Sequence, residues 1–517
     1  MAMLFAFVMT LIAKGQIIPQ PQHIELLKGK DVSFNNFKLN DKSVDEHPWL
    51  GRDPFFLIHE TCEKVRNVEV VLIISPQKDK TATVSDEYTL VIDKKITISS
   101  ATENGLKLGV SSLKQWFYLH YNYEGSLPKV KIIDAPKFNY RGVHLDVSRH
   151  FFPVQFIKTY LDILALYKIN QFHWHLTDDQ GWRIQIKKYP LLHAVGSWRN
   201  ETMVAKNFQP YVSDSTPHAG YYGQDEIKEI VQYAADRGIN VIPEIEMPGH
   251  ARAALAAYPQ YSCRQVQQHV PGVWGVFEDV YCVNDSTFNF LFDVLDEVIA
   301  LFPSKMIHIG GDEVPKSRWK ECPKCQHAKT SHNLKDEHEL QSYFVGKIDS
   351  FLTSRGRTLV GWDEILEGGL SPNAVVMSWR GTEGGIAAAK QKHQAIMTPG
   401  SHCYFDHYQD TSKNEPLAIG GFTSLEKVYN YQPIPSTLDS AEQTYILGAQ
   451  ANLWTEYMPT EKQVLYMLLP RLCALSEVLW TDYKDFISFE NRIDQHEYFI
   501  FERNFWNYKK YEPKNAH

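Results

Sequence analysis

From about residue 138 onward, acidic residues and tryptophans recur together, each time at the end of a short β-type run. One run leads into His173-Trp174-His175-Leu176-Thr177-Asp178-Asp179, the next into Pro243-Glu244-Ile245-Glu246-Met247-Pro248-Gly249-His250. A third leads into His308-Ile309-Gly310-Gly311-Asp312-Glu313. Later runs end Gly361-Trp362-Asp363-Glu364, Ser378-Trp379-Arg380-Gly381 and Asn452-Leu453-Trp454-Thr455-Glu456. Carboxylic acids beside flat aromatic faces suit cleavage of a glycosidic bond. One acid must protonate the leaving oxygen, and a negative group must stabilise the oxocarbenium-like centre. Aromatic rings pack on the apolar face of a pyranose. Metal chemistry is the competing reading, because His173, His175, Asp178, Glu246 and His250 are all ligand types. His173 and His175 share one strand face but precede the strand end, so lining a barrel interior is the alternative to ligating at an open site. No glycine-rich nucleotide loop or basic phosphate cradle is present in the sequence. No metal and no cofactor is expected.

These residues need a scaffold that gathers strand ends. The candidate strands are Gly142 to Val147, Gln171 to Leu176, Asn240 to Glu246 and Met306 to Gly310, then Thr358 to Trp362, Ala374 to Trp379, Ala395 to Thr398 and Tyr445 to Ala449. Helical segments alternate with them: Val154 to Tyr167, Gln224 to Arg237, Thr287 to Leu301, Glu337 to Ser354 and Glu461 to Leu479. Eight βα alternations predict an α/β fold, a (β/α)8 TIM barrel, with its active site at the C-terminal strand ends. The long connections at 178–223 and 247–285 are expected to carry function. Before the barrel, residues 17–136 read as a small α+β domain. Strands are predicted at Val68 to Ile74, over a hairpin from Tyr88 to Ile98, and at Lys129 to Pro136, with a helix from Gly105 to Trp116. The barrel, with a C-terminal helical tail, takes 137–517.

Composition narrows the partners. With 44% hydrophobic and 22% charged residues and a net charge of −8, the 517-residue chain reads as a globular protein. Its acidic balance argues against nucleic acid and anionic membranes. The apolar run from Met3 to Ala13 has the length of a signal-peptide core and is too short to span a bilayer. Residues 1–16 are therefore expected to be a signal peptide cleaved near Gly15 or Gln16, giving a secreted or periplasmic protein with no transmembrane segment in the mature chain. A basic segment before the apolar run is missing, and a buried N-terminal strand or helix is the alternative. Seven cysteines are too few for a disulfide framework. Cys263 and Cys282 flank one loop and can pair. Cys322-x-x-Cys325 stands without a second such motif nearby, so it is expected to be a local disulfide or two thiols rather than a metal site.

The motifs together resemble a known family. Arg141-Gly-Val-His-Leu-Asp-Val-Ser-Arg149-His150, the segment from His173 to Arg183, Pro243 to His250, His308 to Glu313, Gly361 to Glu364, Trp379 to Gly381 and Ala449 to Glu456 are similar to glycoside hydrolase family 20, the β-N-acetylhexosaminidases. The resemblance covers about 138–485, and the N-terminal unit looks like the family's small α+β domain. It implies exo-hydrolysis of terminal β-linked N-acetylglucosamine or N-acetylgalactosamine from an oligosaccharide or glycoconjugate. Glu313 would serve as general acid and then base, and Asp312 would orient the acetamido group. The acetamido oxygen would attack the anomeric carbon, giving an oxazolinium intermediate and net retention. Trp362, Trp379 and Trp454 would wall the acetamido methyl, and Tyr404 would donate to its oxygen. Arg141 and Glu456 would bind sugar hydroxyls, Asp406 would help orient the acetamido group or Asp312, and Asp178 and His250 would support Glu313. Glu313 is expected to have a raised pKa. Asp312 and Glu313 are chain neighbours, so both face one site only if the strand end is irregular. A lacto-N-biosidase-like enzyme releasing disaccharides, or an inactive carbohydrate-binding homologue, are the alternatives. Gluco versus galacto preference, natural polymer and oligomeric state are not encoded legibly.

Overall fold

The structure, a computed structural model, describes residues 16–57, 65–75, 85–121 and 125–501. The apolar run from Met3 to Ala13 lies outside the described residues. Among them, no helix is long and apolar enough to cross a membrane.

The first unit is a six-stranded sheet in the order His23–Leu26, Val130–Asp134, Tyr88–Ile92, Ile96–Ser100, Asn67–Ile74, Asn36–Leu39. Strict alternation buries one face of its central strands, as in Tyr88–Ile92 and Ile96–Ser100, which pair as the predicted hairpin. Helix Glu103–His120 covers that face, capped by the Thr102 side chain accepting from Gly105 N–H at 2.9 Å. Leu106, Leu113 and Trp116 point from the helix into the sheet's core.

The second unit is a closed eight-stranded parallel barrel. Its strands in order are Tyr140–Asp146, Gln171–His175, Asn240–Glu244, Met306–His308, Thr358–Trp362, Val375–Ser378, Ala395–Met397 and Ile446–Ala451. Below they are called the first to the eighth strand. Ile242, Val360, Val375, Met377 and Ile396 fill part of the interior. A larger apolar layer joins the strands to helices such as Val154–Leu166 and Asp285–Leu301. The predicted helix Glu461 to Leu479 is two helices, Glu461–Leu468 and Arg471–Val478. Pro470 is the reason, because it disfavours the α conformation at Leu469, which is extended, and lacks an N–H for the helical ladder.

One buried node joins the two units. Lys168, in the loop between the first barrel helix and second strand, lies 2.8 Å from Asp134 of the sheet, and both side chains are fully buried. Tyr88 donates to the same carboxylate at 2.7 Å and Trp480 Nε1 at 2.8 Å. Burial lowers the Lys168 pKa, opposed by Asp134. The possible Cys263–Cys282 disulfide is not formed, and of the two readings of Cys322 and Cys325 the structure has the thiols. All four are thiols, and they converge on one point.

Candidate active site

The loops after the strands enclose a pocket of about 330 Å³ at the C-terminal barrel end. Asp178, His250, Asp312, Glu313, Trp362, Trp379, Tyr404, Asp406, Trp454 and Glu456 all line it. They come from the ends of the second to the eighth strand and the loops that follow, so closure of the barrel is what brings them together.

The acidic pair sits on an irregular strand end. The fourth strand stops at His308, and Gly310, Gly311 and Glu313 then adopt φ of +69°, +91° and +46°. This left-handed run breaks the alternation that would send neighbours to opposite faces. Both acids consequently approach one imidazole, with His250 Nε2 3.7 Å from Asp312 Oδ2 and 3.5 Å from Glu313 Oε2. Gly310 is also sterically required, since a Cβ there would lie 1.8 Å from Glu246 Oε2. Glu313 is not glycine, and its positive φ holds backbone strain at the site.

His250 is itself fixed. Its Nδ1 lies 3.0 Å from Asp179 Oδ2 and 3.3 Å from Asp178 Oδ1. Burial opposes charge on this ring, yet Asp178 and Asp312 outweigh it and raise its pKa well above the ordinary value. Burial, with help from Glu244 and Glu313, raises Asp312 to about 6 against the pull of His250. Glu313 goes the other way. The hydrogen bond from His250 lowers its pKa, with burial opposing, and 41% of the side chain is exposed. The expectation of a raised Glu313 is thus overturned in the free site, because the open pocket leaves the carboxylate partly hydrated beside an imidazolium.

Below the pocket floor, Glu244 at the end of the third strand is ringed by ring nitrogens of its neighbours, among them His308 Nδ1, which itself accepts from Gly310 N–H at 3.0 Å. His173 Nε2 is 3.1 Å away, His308 Nδ1 2.9 Å, and Trp362 Nε1 donates at 2.9 Å. His175 joins through Nδ1, and its Nε2 reaches Asp178 Oδ2 at 2.8 Å. Both nitrogens of His175 are therefore occupied by carboxylates, which leaves it no lone pair for a metal ion. Trp362 stands on this network, tilted 48° to Trp454 at 5.7 Å, and Trp379 stacks near Tyr404 at 6.2 Å. Asp312 Oδ1, Asp406 Oδ1 and Glu456 Oε2 are buried without a hydrogen-bond partner among the described residues. Three acceptors around one pocket suit a ligand rich in O–H and N–H groups.

Residues 138–483 match the family model described as glycosyl hydrolase family 20, catalytic domain, and 14–135 match the one described as domain 2. The chain belongs to glycosyl hydrolase family 20. It is 51% identical over 422 residues to a β-hexosaminidase of Porphyromonas gingivalis, covering 79% of this chain. It spans about half (52%) of that relative's length. A β-hexosaminidase of Vibrio furnissii is 36% identical over 89% of this chain and 76% of its own. Among solved structures, a β-N-acetylhexosaminidase superposes with a TM-score of 0.81 at 28% identity, over 98% of this chain and 99% of the other. A family 20 exo-β-N-acetylglucosaminidase from Vibrio harveyi in complex with N-acetylglucosamine gives 0.79 at 29%, over 95% and 78%.

Within this family 20 fold, one expected residue is misplaced. Arg141 is the second residue of the first strand, at the barrel end away from the pocket. It is 1% exposed, donates to Lys168 O and Phe138 O at 2.7 Å each, and lies over the Trp480 ring. The arginine in the pocket is Arg149, just beyond the end of that strand. It reaches Asp178 at 2.8 Å, Asp146 at 3.4 Å and Glu456 at 3.8 Å, and lies over Trp454. Burial opposes its charge, but Asp178, Glu456 and Asp146 prevail and raise its pKa. Sequence reasoning also missed Asp179, which holds His250, and the wall formed by His407 and 419–421, and it singled out Glu246 only as a candidate metal ligand, not for its place beneath Gly310. The rule that barrel sites lie at C-terminal strand ends would have chosen Arg149 over Arg141.

Proposed function

We propose that this chain is an exo-acting, retaining β-N-acetylhexosaminidase that removes terminal β-linked N-acetylglucosamine or N-acetylgalactosamine. The observation that carries the reading is the Asp312–His250–Glu313 cluster at the base of a small aromatic-walled pocket. Arg149 and Glu456, paired at one side, suit adjacent sugar hydroxyls, and the pocket's size suits one terminal residue. The names of the relatives support the same substrate class.

In the proposed reaction, Trp362, Trp379 and Trp454 press the acetamido group beneath the anomeric carbon. Tyr404 donates to its oxygen, and Asp312 accepts from its N–H. Glu313 protonates the leaving oxygen while the acetamido oxygen attacks, forming an oxazolinium. Tethering the nucleophile to the sugar removes the translational cost of bringing it in. Ionised Asp312 offsets the positive charge that develops on the ring. Glu313 then takes a proton from water, which opens the intermediate with retention.

In the free site the Asp312 carboxyl is shifted up and that of Glu313 down, whereas the reaction needs the proton on Glu313. Sugar binding excludes water from Glu313 and gives Asp312 an N–H partner, and both changes move the proton in the required direction. The test is hydrolysis of an aryl N-acetyl-β-glucosaminide beside the matching 2-hydroxy glucoside, with wild type and Glu313→Gln. Activity confined to the acetamido substrate and lost in the variant is the expected result. Equal rates on both substrates would reject acetamido participation. Release of disaccharides alone would point to a biosidase, and sugar binding without hydrolysis to an inactive homologue.

A further inference from the structure

We propose that Cys263, Cys282, Cys322 and Cys325 hold a structural zinc ion that clips together the two loops carrying His250 and the Asp312–Glu313 pair. The four Sγ atoms all lie within 4.8 Å of one another. Cys263 to Cys325 is 3.7 Å, Cys282 to Cys322 is 3.6 Å and Cys282 to Cys325 is 3.6 Å. A tetrahedral ion with Zn–S bonds of about 2.3 Å has S–S edges of about 3.8 Å. A disulfide instead draws one sulfur to about 2.05 Å of a single partner. Here Cys282 has two sulfur neighbours at equal range, Cys322 and Cys325. Cys325 likewise has two at nearly equal range, Cys263 and Cys282.

The surrounding chain has the form of such a site. Cys282, Cys322 and Cys325 are buried, with Cys263 half-buried at the edge. Cys322-Pro323-Lys324-Cys325 enters helix Pro323–Ser331 at its N-terminus, and Val283 N–H donates to Cys325 Sγ at 3.4 Å. Helix Pro323–Ser331 is almost wholly polar, and its one buried residue is Cys325. The preceding helix Ser317–Glu321 buries only Trp319. Apolar packing is therefore thin in this excursion, and a metal tether supplies what the core does not.

Binding is an exchange without electron transfer: four thiols release four protons as four Zn–S bonds form. The ion would join the loop after the third strand to the loop after the fourth. Tyr281, next to Cys282, donates from its backbone to Pro248 O at 3.0 Å, close to His250 in the chain. Trp319 Nε1 donates to Tyr281 O at 2.9 Å from the fourth-strand side. The ion has no part in the hydrolysis.

The test is metal analysis of the full chain purified without added metal or chelator, with mercurial titration of its thiols. One zinc per chain, released in step with modification of four thiols, is the expected result. The Cys322→Ser/Cys325→Ser variant should carry none. Because that variant can misfold, wild type stripped of metal and given Co2+ under reducing conditions provides a second reading. It should show the intense visible bands of a tetrahedral cobalt thiolate. Protein free of zinc that takes up neither Zn2+ nor Co2+ would overturn the proposal. So would isolation of the four cysteines as two disulfides. Neither readout depends on glycosidase activity, so this proposal and the proposed function fail independently.

Discussion

Arg141 lies near the start of the first strand and Arg149 follows its end, and the pair separates stability from catalysis in a way that two substitutions can test. Arg149 holds Asp178 at 2.8 Å and approaches Glu456 at 3.8 Å. Arg149→Lys keeps a positive charge there, but a single ammonium cannot serve both carboxylates and a sugar hydroxyl as one planar fork does. A hydrogen bond to a charged group contributes about 1.5–3 kcal/mol. At about 1.36 kcal/mol per tenfold, kcat/KM on the aryl N-acetyl-β-glucosaminide should fall about 10- to 150-fold. Arg141→Met should behave oppositely. It removes two donors that lie 2.7 Å from buried carbonyls. Each carbonyl left unsatisfied costs about 1–3 kcal/mol. The urea midpoint should report a loss of about 2–6 kcal/mol, with kcat/KM of the folded enzyme unchanged. A folded Arg141→Met with impaired kcat/KM, beside a fully active Arg149→Lys, would refute the assignment.

The pH profile of kcat/KM should be bell-shaped, with its alkaline limb near the Asp312 value of about 6. Above that value the Asp312–Glu313 pair loses its shared proton, and below the lowered Glu313 value it gains a second. His250→Ala should move the alkaline limb upward, because the imidazolium lowers both acids; an unmoved limb would exclude His250 as the cause. Gly310→Ala forces a Cβ onto the Glu246 carboxyl at a left-handed backbone position. It should lower kcat and cost more than about 1 kcal/mol in urea denaturation. Asp134→Ala leaves Lys168 buried and unpaired. It should cost about 3–5 kcal/mol, with kcat unaltered at temperatures where the protein is folded. In a chelator experiment, loss of thermal stability that precedes any loss of kcat is the expected order, and immediate loss of kcat in folded protein would contradict a purely structural ion.

The fold was legible because its signals are local. Runs such as Thr358 to Trp362 end where a polar loop begins, and the structure ends the strand at the same residue. Strand ends then name the site, which is why Trp362, Trp379, Trp454 and Glu456 could be selected from the sequence and meet in one pocket. Arg141 breaks that rule, since it lies near the start of its strand rather than at its end. The cysteines were illegible for another reason. Cys263 and Cys325 are 62 residues apart, and only the parallel pairing of the third and fourth strands brings their loops together. The Glu313 shift was also out of reach, because it depends on the distance to His250 and on how far the pocket stands open. The adjacency of Asp312 and Glu313 called for an irregular strand end, but not for the left-handed backbone that Glu313 shares with Gly310 and Gly311.

Glu244 gives the site a common zero of height. Its two oxygens are ringed by the second strand through His173 and His175, the fourth through His308 and the fifth through Trp362. A strand that slid along the barrel axis by even a fraction of its residue spacing would stretch a close polar contact at this carboxylate. The platform under Trp362 and Asp178 is thus levelled by one side chain, and the vertical placement of the sugar is inherited from it. Substitutions at Glu244 should accordingly be read as errors of alignment spread over four strands, even though the residue never meets the substrate.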